Sequence, residues 1–147
     1  MDRQIKRELE KSKHSPKNAI VIGSLGRVGS GVIDLCEKMN IKMTKWDVLE
    51  TSKKQDFSEI LDHDLFFNCV VANKETPTFI SEGIIRRNQN LTIVGDIACD
   101  PGSRYNPIAI YDAVTTWSEP VARVSENPIL EVMAIDNLPS LLPLESS

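Results

Sequence analysis

The residues in this sequence best suited to chemistry are a cluster of glycines and one acid placed behind them. Gly23, Gly26, Gly29 and Gly31 follow the apolar run Ala19-Ile20-Val21-Ile22. Ser24-x-Gly26-x-x-Gly29 matches the last two glycines of the pattern G-x-G-x-x-G, with Ser24 at the first place and Gly23 one position earlier. A glycine at 26 lets a pyrophosphate approach the backbone closely, and one at 29 lets a helix pack tightly on a strand. Amide groups at that helix start, together with the helix dipole, favour a doubly negative ligand, and Arg27 adds a cation. Asp47 lies about 20 residues beyond the glycines, where an acid accepts hydrogen bonds from a ribose diol. It also repels a 2′-phosphate, which favours NAD over NADP; Lys45 weakens that preference slightly. An ordinary glycine turn explains the loop alone equally well, and the acid tips the reading toward a dinucleotide.

These residues need a strand, a turn, a helix and a second strand to position them, and the sequence supplies that order. Residues 19–22 are β-branched or small, as suits a strand buried on both faces. Val28, Val32, Leu35 and Cys36 then recur at helical spacing, and residues 41–46 read as the second strand, ending at Asp47. A polar loop over 50–56 holds Thr51, close enough to Asp47 to touch an adenosine, though a plain solvated Thr serves as well. A helical turn over 57–61 precedes a third strand over 65–71. Asn68 in that strand needs a partner for its amide, within the fold or on a ligand.

Thr76-Pro77 predicts the start of another helix, with Phe79, Ile80, Ile84 and Ile85 as its apolar face. Residues 91–97 read as a fourth strand, followed by a turn-rich segment holding Cys99 and Asp100. Such alternation predicts an α/β fold of Rossmann type, a doubly wound parallel sheet with helices on both faces. Beyond it, residues 115–124 read as strand, turn and strand, and 130–135 as a last strand, making a C-terminal β-hairpin or strand extension. Residues 1–13 read as a charged helix with little to bury, so the division is a leader over 1–18 and a dinucleotide-binding domain over 19–147. The apolar end SLLPLESS has nothing evident to cover it, which predicts that the domain is cut short.

At 147 residues the chain is one domain long, with 41% hydrophobic and 26% charged residues. A net charge of −4 argues against nucleic acid or an anionic membrane surface as partner. No apolar run reaches the length of a membrane span, and the charged N-terminus lacks the apolar core of a signal peptide. Three cysteines, Cys36, Cys69 and Cys99, without a C-x-x-C pair, read as reduced thiols and place the protein in the cytoplasm. Nothing in the spacing suggests a metal site.

IGSLGRVGSGVIDL, the WD and ET pairs at Trp46-Asp47 and Glu50-Thr51, DLFFNCVV, GDIACDPGSRYNPIAIYD and AIDNLPSLLP together resemble the NAD-dependent, lysine-forming saccharopine dehydrogenases. The resemblance runs from about Ala19 to the last residue, and more distantly includes alanine dehydrogenase and transhydrogenase. It implies NAD as cofactor and an oxidoreductase reaction in which saccharopine, NAD⁺ and water give L-lysine, 2-oxoglutarate and NADH, the last step of lysine synthesis through aminoadipate.

By the same resemblance Gly26, Arg27 and Ser30 hold the pyrophosphate, and Asp47 and Thr51 the adenosine ribose and its surroundings. Val71 and Ile97 line the cleft, and Ile135, Asp136, Asn137 and Leu138 surround the nicotinamide and its ribose. An Asx turn at Asp136-Asn137 is the alternative there. The family's acid–base lysine and histidine belong to an N-terminal domain that this sequence does not match. His14 and His63 fit neither, so no catalytic residue is expected here. Substrate handling is expected only with that missing domain, and the chain alone is expected to be inactive. A free-standing NAD-binding module or redox-sensing subunit remains the alternative.

Overall fold

The computed structural model describes residues 16–98, 101 and 103–135. The leader helix expected over 1–13, His14, Cys99, Asp100, Asp136, Asn137, Leu138 and the apolar end therefore lie outside the described residues.

The core is a six-stranded sheet in the order β2-β1-β3-β5-β8-β7. Its strands are β1 (Asn18–Ile22), β2 (Lys42–Trp46), β3 (Leu65–Asn68), β5 (Ile93–Asp96), β7 (Ala122–Glu126) and β8 (Ile129–Met133). The first five in that spatial order run parallel, and β7 closes the edge as an antiparallel hairpin partner of β8. A separate pair, β4 (Ile80–Ser81) and β6 (Ile108–Ala109), packs nearby. The helices are α1 (Arg27–Lys38), α2 (Val48–Thr51) and α3 (Glu82–Ile85), with a 3-10 turn over Ser58–Asp62.

Strand register explains the two-sided core. Ile20, Phe66, Val94 and Val132 face one another across four strands and are all fully buried. Their face carries the larger cluster, completed by Phe57, Ile60, Leu61, Phe79, Ile80, Leu91 and Ile108. Because side chains alternate along a strand, the neighbouring row of Ala19, Leu65 and Ile93 points the other way, against Cys36, Met39, Val32 and Leu35 of α1. One face is thus covered by a full helix. The other is covered mainly by the 3-10 turn, the single-turn α3 and the β4–β6 pair.

The return from α1 to β2 is tight. Ile41 donates its N–H to the carbonyl of Cys36 (2.9 Å) and Asn40 to that of Glu37 (3.2 Å), with Asn40 left-handed at φ 59°. That double closure is a Schellman cap, in which Asn substitutes for the usual Gly. It brings the chain straight into β2, so that Asp47 emerges beside the glycine turn.

Three expectations fail. The helix predicted from Thr76 is only Glu82–Ile85, preceded by extended chain. Phe79 and Ile80 both give their N–H groups to the carbonyl of Pro107, and Ile80 pairs with Ile108. Pairing with a distant segment overrides the local periodicity. Residues 115–117 are likewise no strand: Thr115 makes a single bridge to Ile135, and a turn closed by Thr116 and Glu119 follows. The hairpin partner of β7 is β8. The third strand also stops at Asn68, leaving Val71 beyond it.

Candidate functional site

The order of the strands reverses at β1, with β2 on one side and β3 on the other. Ligands of open α/β sheets bind in the crevice at such a switch point, outside the carboxyl ends of the strands. Trp46, Ile22, Asn68 and Asp96 stand in one row across β2, β1, β3 and β5. The residues that follow them, Asp47, Gly23, Cys69 and Ile97, open the crevice.

The glycine turn is built by the chain's own crowding at two of its positions. Gly23 is left-handed at φ 94°, and a Cβ there would meet the backbone of Cys69 at 2.9 Å. A Cβ on Gly29 would lie 2.0 Å from the carbonyl oxygen of Gly23. Both glycines are needed to seat α1 against the end of β1. Gly26 differs: its Cβ would find nothing closer than 3.6 Å, and its backbone is extended at φ −79°, ψ 170°. Packing does not require a glycine there. Gly26 is the N-cap of α1, and no side chain caps that helix end. Gly26, Arg27 and Ser30 are all exposed at this end of α1, on the lip of the crevice.

Asp47 is tied to that loop. One carboxylate oxygen accepts the N–H of Leu25 at 2.8 Å, the other that of Val48 at 2.8 Å. Glu50 accepts the N–H of Asp47 at 2.9 Å, completing a capping box at α2. The carbonyl of Trp46 accepts from Gly23 (2.9 Å) and Ser24 (3.1 Å). The acid expected to read a ribose thus latches the glycine turn to the end of β2. Thr51 is buried, with its hydroxyl donating to the carbonyl of Asp47 at 3.2 Å. Its side chain supports the turn that carries Asp47.

Across the switch point, Val71 is 85% exposed on the rim beyond β3, and Ile97 follows β5, half-buried. Ile135 is buried against Thr115. A polar trio with a buried Asn68–Asp96 pair at its centre underlies this side: Asn68 donates to Asp96 at 2.9 Å and the half-buried Tyr111 donates its hydroxyl to the other oxygen of Asp96. Burial pushes the Asp96 carboxyl up, and the hydrogen bonds from Tyr111 and Asn68 oppose that shift. Asn68 was legible as a residue in need of a partner; Asp96 and Tyr111 were not. Their signal is an acid closing a strand in register with Asn68.

His63 is buried away from the crevice, between the hydroxyl of Thr44 (2.8 Å) and the carbonyl of Glu59 (3.0 Å). Two open cavities, of about 370 and 330 Å³, lie between residues 110–116 and 119–124 and beside Ser58, Glu59 and Arg87. Neither is lined by a predicted cofactor residue. Among the described residues no His, Cys, Asp or Glu cluster is arranged to hold a metal ion. Nor is any described helix long and apolar enough to cross a membrane.

No protein-family model matches the chain. Curated relatives do. It is 42% identical to a "Saccharopine dehydrogenase [NAD(+), L-lysine-forming]" of Candida albicans, over 98% of this chain and 39% of that protein. Proteins of the same name match at 40% identity in Schizosaccharomyces pombe and 38% in Yarrowia lipolytica, over 99% and 98% of this chain and 41% and 42% of theirs. The chain thus spans about two-fifths of the length of these relatives. Across that length it is homologous to the NAD-dependent, lysine-forming saccharopine dehydrogenases.

Proposed function

We propose that this chain is the NAD-binding portion of a saccharopine dehydrogenase, an oxidoreductase of lysine biosynthesis that acts on saccharopine, L-lysine and 2-oxoglutarate. The observation that carries the reading is the pairing of Gly26, a glycine the fold does not need, with Asp47, both at the switch point of the sheet. The relatives' names supply the chemistry.

In this reading the pyrophosphate lies against Gly26 and the start of α1, with Arg27 and Ser30 on the same lip. Asp47 accepts from the adenosine ribose and disfavours a 2′-phosphate. Thr51 acts by holding Asp47 in place. Val71, Ile97 and Ile135 line the opposite half, and Asp136, Asn137 and Leu138 belong to it by family resemblance. NAD supplies a hydride acceptor when bound; this chain's residues bind it, orient it and choose it over NADP. The acid–base groups of the reaction lie in the three-fifths of the relatives' length that this chain does not match. The setting is the cytoplasm.

The test is a fluorescence titration of the purified chain with NADH and NADPH. NADH should bind more tightly. Asp47→Ala should weaken NADH by about 1.5–3 kcal/mol, the range for a lost charge-assisted hydrogen bond. Asp47→Asn keeps an acceptor for the loop amides but loses the charge, so it should narrow the preference. Equal affinity of the wild-type chain for the two cofactors would sink the assignment of Asp47.

A further inference from the structure

The trio under the far side of the crevice has a structure that stability alone does not explain. Asn68 and Asp96 are each only 1% exposed, and no buried polar side-chain atom among the described residues lacks a partner. A buried carboxylate is costly even when fully hydrogen-bonded, and apolar side chains of similar volume often hold a core as well. The neighbouring row, Ile20, Phe66, Val94 and Val132, does that with apolar residues alone.

What the trio adds is control of two chain directions. Asn68 accepts the N–H of Val70 on its side-chain oxygen at 3.2 Å, which sets the exit of the chain from β3 toward Val71. The end of β5 is held at Asp96, its last residue; the main-chain carbonyl of Asn68 also accepts from Ile97 at 3.1 Å and Ala98 at 3.4 Å, a backbone tie that does not depend on the trio's side chains. The side-chain amide nitrogen of Asn68 donates to Asp96, whose other oxygen takes the Tyr111 hydroxyl. Tyr111 in turn anchors the segment after β6, beside the buried Ile110.

We propose that Asn68, Asp96 and Tyr111 form a positioning unit that sets the spacing of the two rims, at Val71 and Ile97, between which the second nucleoside of the dinucleotide lies. The inference rests on the cofactor reading above. With the pyrophosphate at the switch point and the adenosine ribose at Asp47 on the β2 side, the other half must extend over β3 and β5. The three are positioning residues, since none of them needs to touch the ligand.

The experiment compares NADH with ADP, which carries only the adenosine and pyrophosphate half, on the full chain and two variants. In Asp96→Asn a single oxygen replaces two acceptors, so one tie is lost or reversed; Tyr111→Phe removes one donor and leaves the ring. Each should raise the Kd for NADH by about tenfold and leave that for ADP within about twofold. A loss of fold stability alone would move both ligands together, so the split is the readout. Equal changes for both ligands, or none for either, would overturn the positioning role while leaving the cofactor site standing. A wild-type chain that binds neither ligand would overturn the cofactor reading and this inference with it. Should Asp96→Asn fail to fold, Tyr111→Phe carries the comparison, because Tyr111 is only half-buried.

Discussion

Gly26→Ala separates what the fold needs from what a ligand needs. The added Cβ would meet nothing closer than the Gly23 carbonyl at 3.6 Å, an ordinary contact. The backbone at φ −79°, ψ 170° is open to any L-residue. Two small terms remain for the free protein. Ala is a poorer N-cap than Gly, at about 1 kcal/mol or less, and it stiffens the unfolded chain, a gain of about 0.4–1 kcal/mol. They nearly cancel, so the melting temperature should stay within about 4 °C of wild type.

Binding should respond differently. A methyl group at the lip keeps a phosphate from the amides of the turn, and each charge-assisted bond lost is worth about 1.5–3 kcal/mol. The Kd for NADH should therefore rise roughly tenfold to a hundredfold. Gly29→Ala is the contrasting variant. Its Cβ would sit 2.0 Å from a backbone oxygen that cannot swing aside, so the fold itself should lose about 3 kcal/mol. Thermal melts of both variants, with NADH titrations followed by cofactor fluorescence, make the comparison. Wild-type NADH affinity in Gly26→Ala would refute the pyrophosphate position. A stability loss in Gly26→Ala matching that of Gly29→Ala would refute the packing argument.

Two further outcomes follow from the buried ionisable groups. Burial raises the Asp96 carboxyl above its ordinary value of 3.8, so the native state holds that proton more tightly than the unfolded chain. The associated stability is present in acid and lost as pH rises through the native value; denaturant melts of wild type against Asp96→Asn should show the wild type losing ground over that window, and a gain would reverse the sign. Burial, with the nearby Asp96 charge, pushes the Cys69 thiol up to about 12, and burial alone raises Cys36. Both should resist iodoacetamide at pH 8 in the folded chain and label in denaturant, as read by peptide mass mapping; rapid native labelling of Cys69 would contradict its environment.

The elements that carry Gly26 and Asp47 are legible in the sequence because their signals are local. An apolar run, a glycine turn, a helical period and a second strand ending in an acid are all read within 30 residues, and the register of β1 with β2 then brings Gly23 beside Asp47. The strands after residues 91 and 129 were readable for the same reason, though not the pairing of β8 with β7. The failures share the opposite cause. Phe79 and Ile80 carry a helical spacing, yet their amides are claimed by Pro107, almost 30 residues away.

Asp96 and Tyr111 show the limit most clearly. Neither has a local pattern; they meet because β3 and β5 pair in register and because the segment after β6 folds back over them. Sequence spacing encodes the side of the crevice formed by the glycine turn and Asp47, where one continuous segment builds it. The opposite side is assembled from four separate segments, at Asn68, Asp96, Tyr111 and Ile135, and becomes readable only once the sheet order is known. That asymmetry gives the variants their separate tasks. Changes at Gly26 and Asp47 test a motif, whereas changes at Asp96 and Tyr111 test a geometry that no motif records.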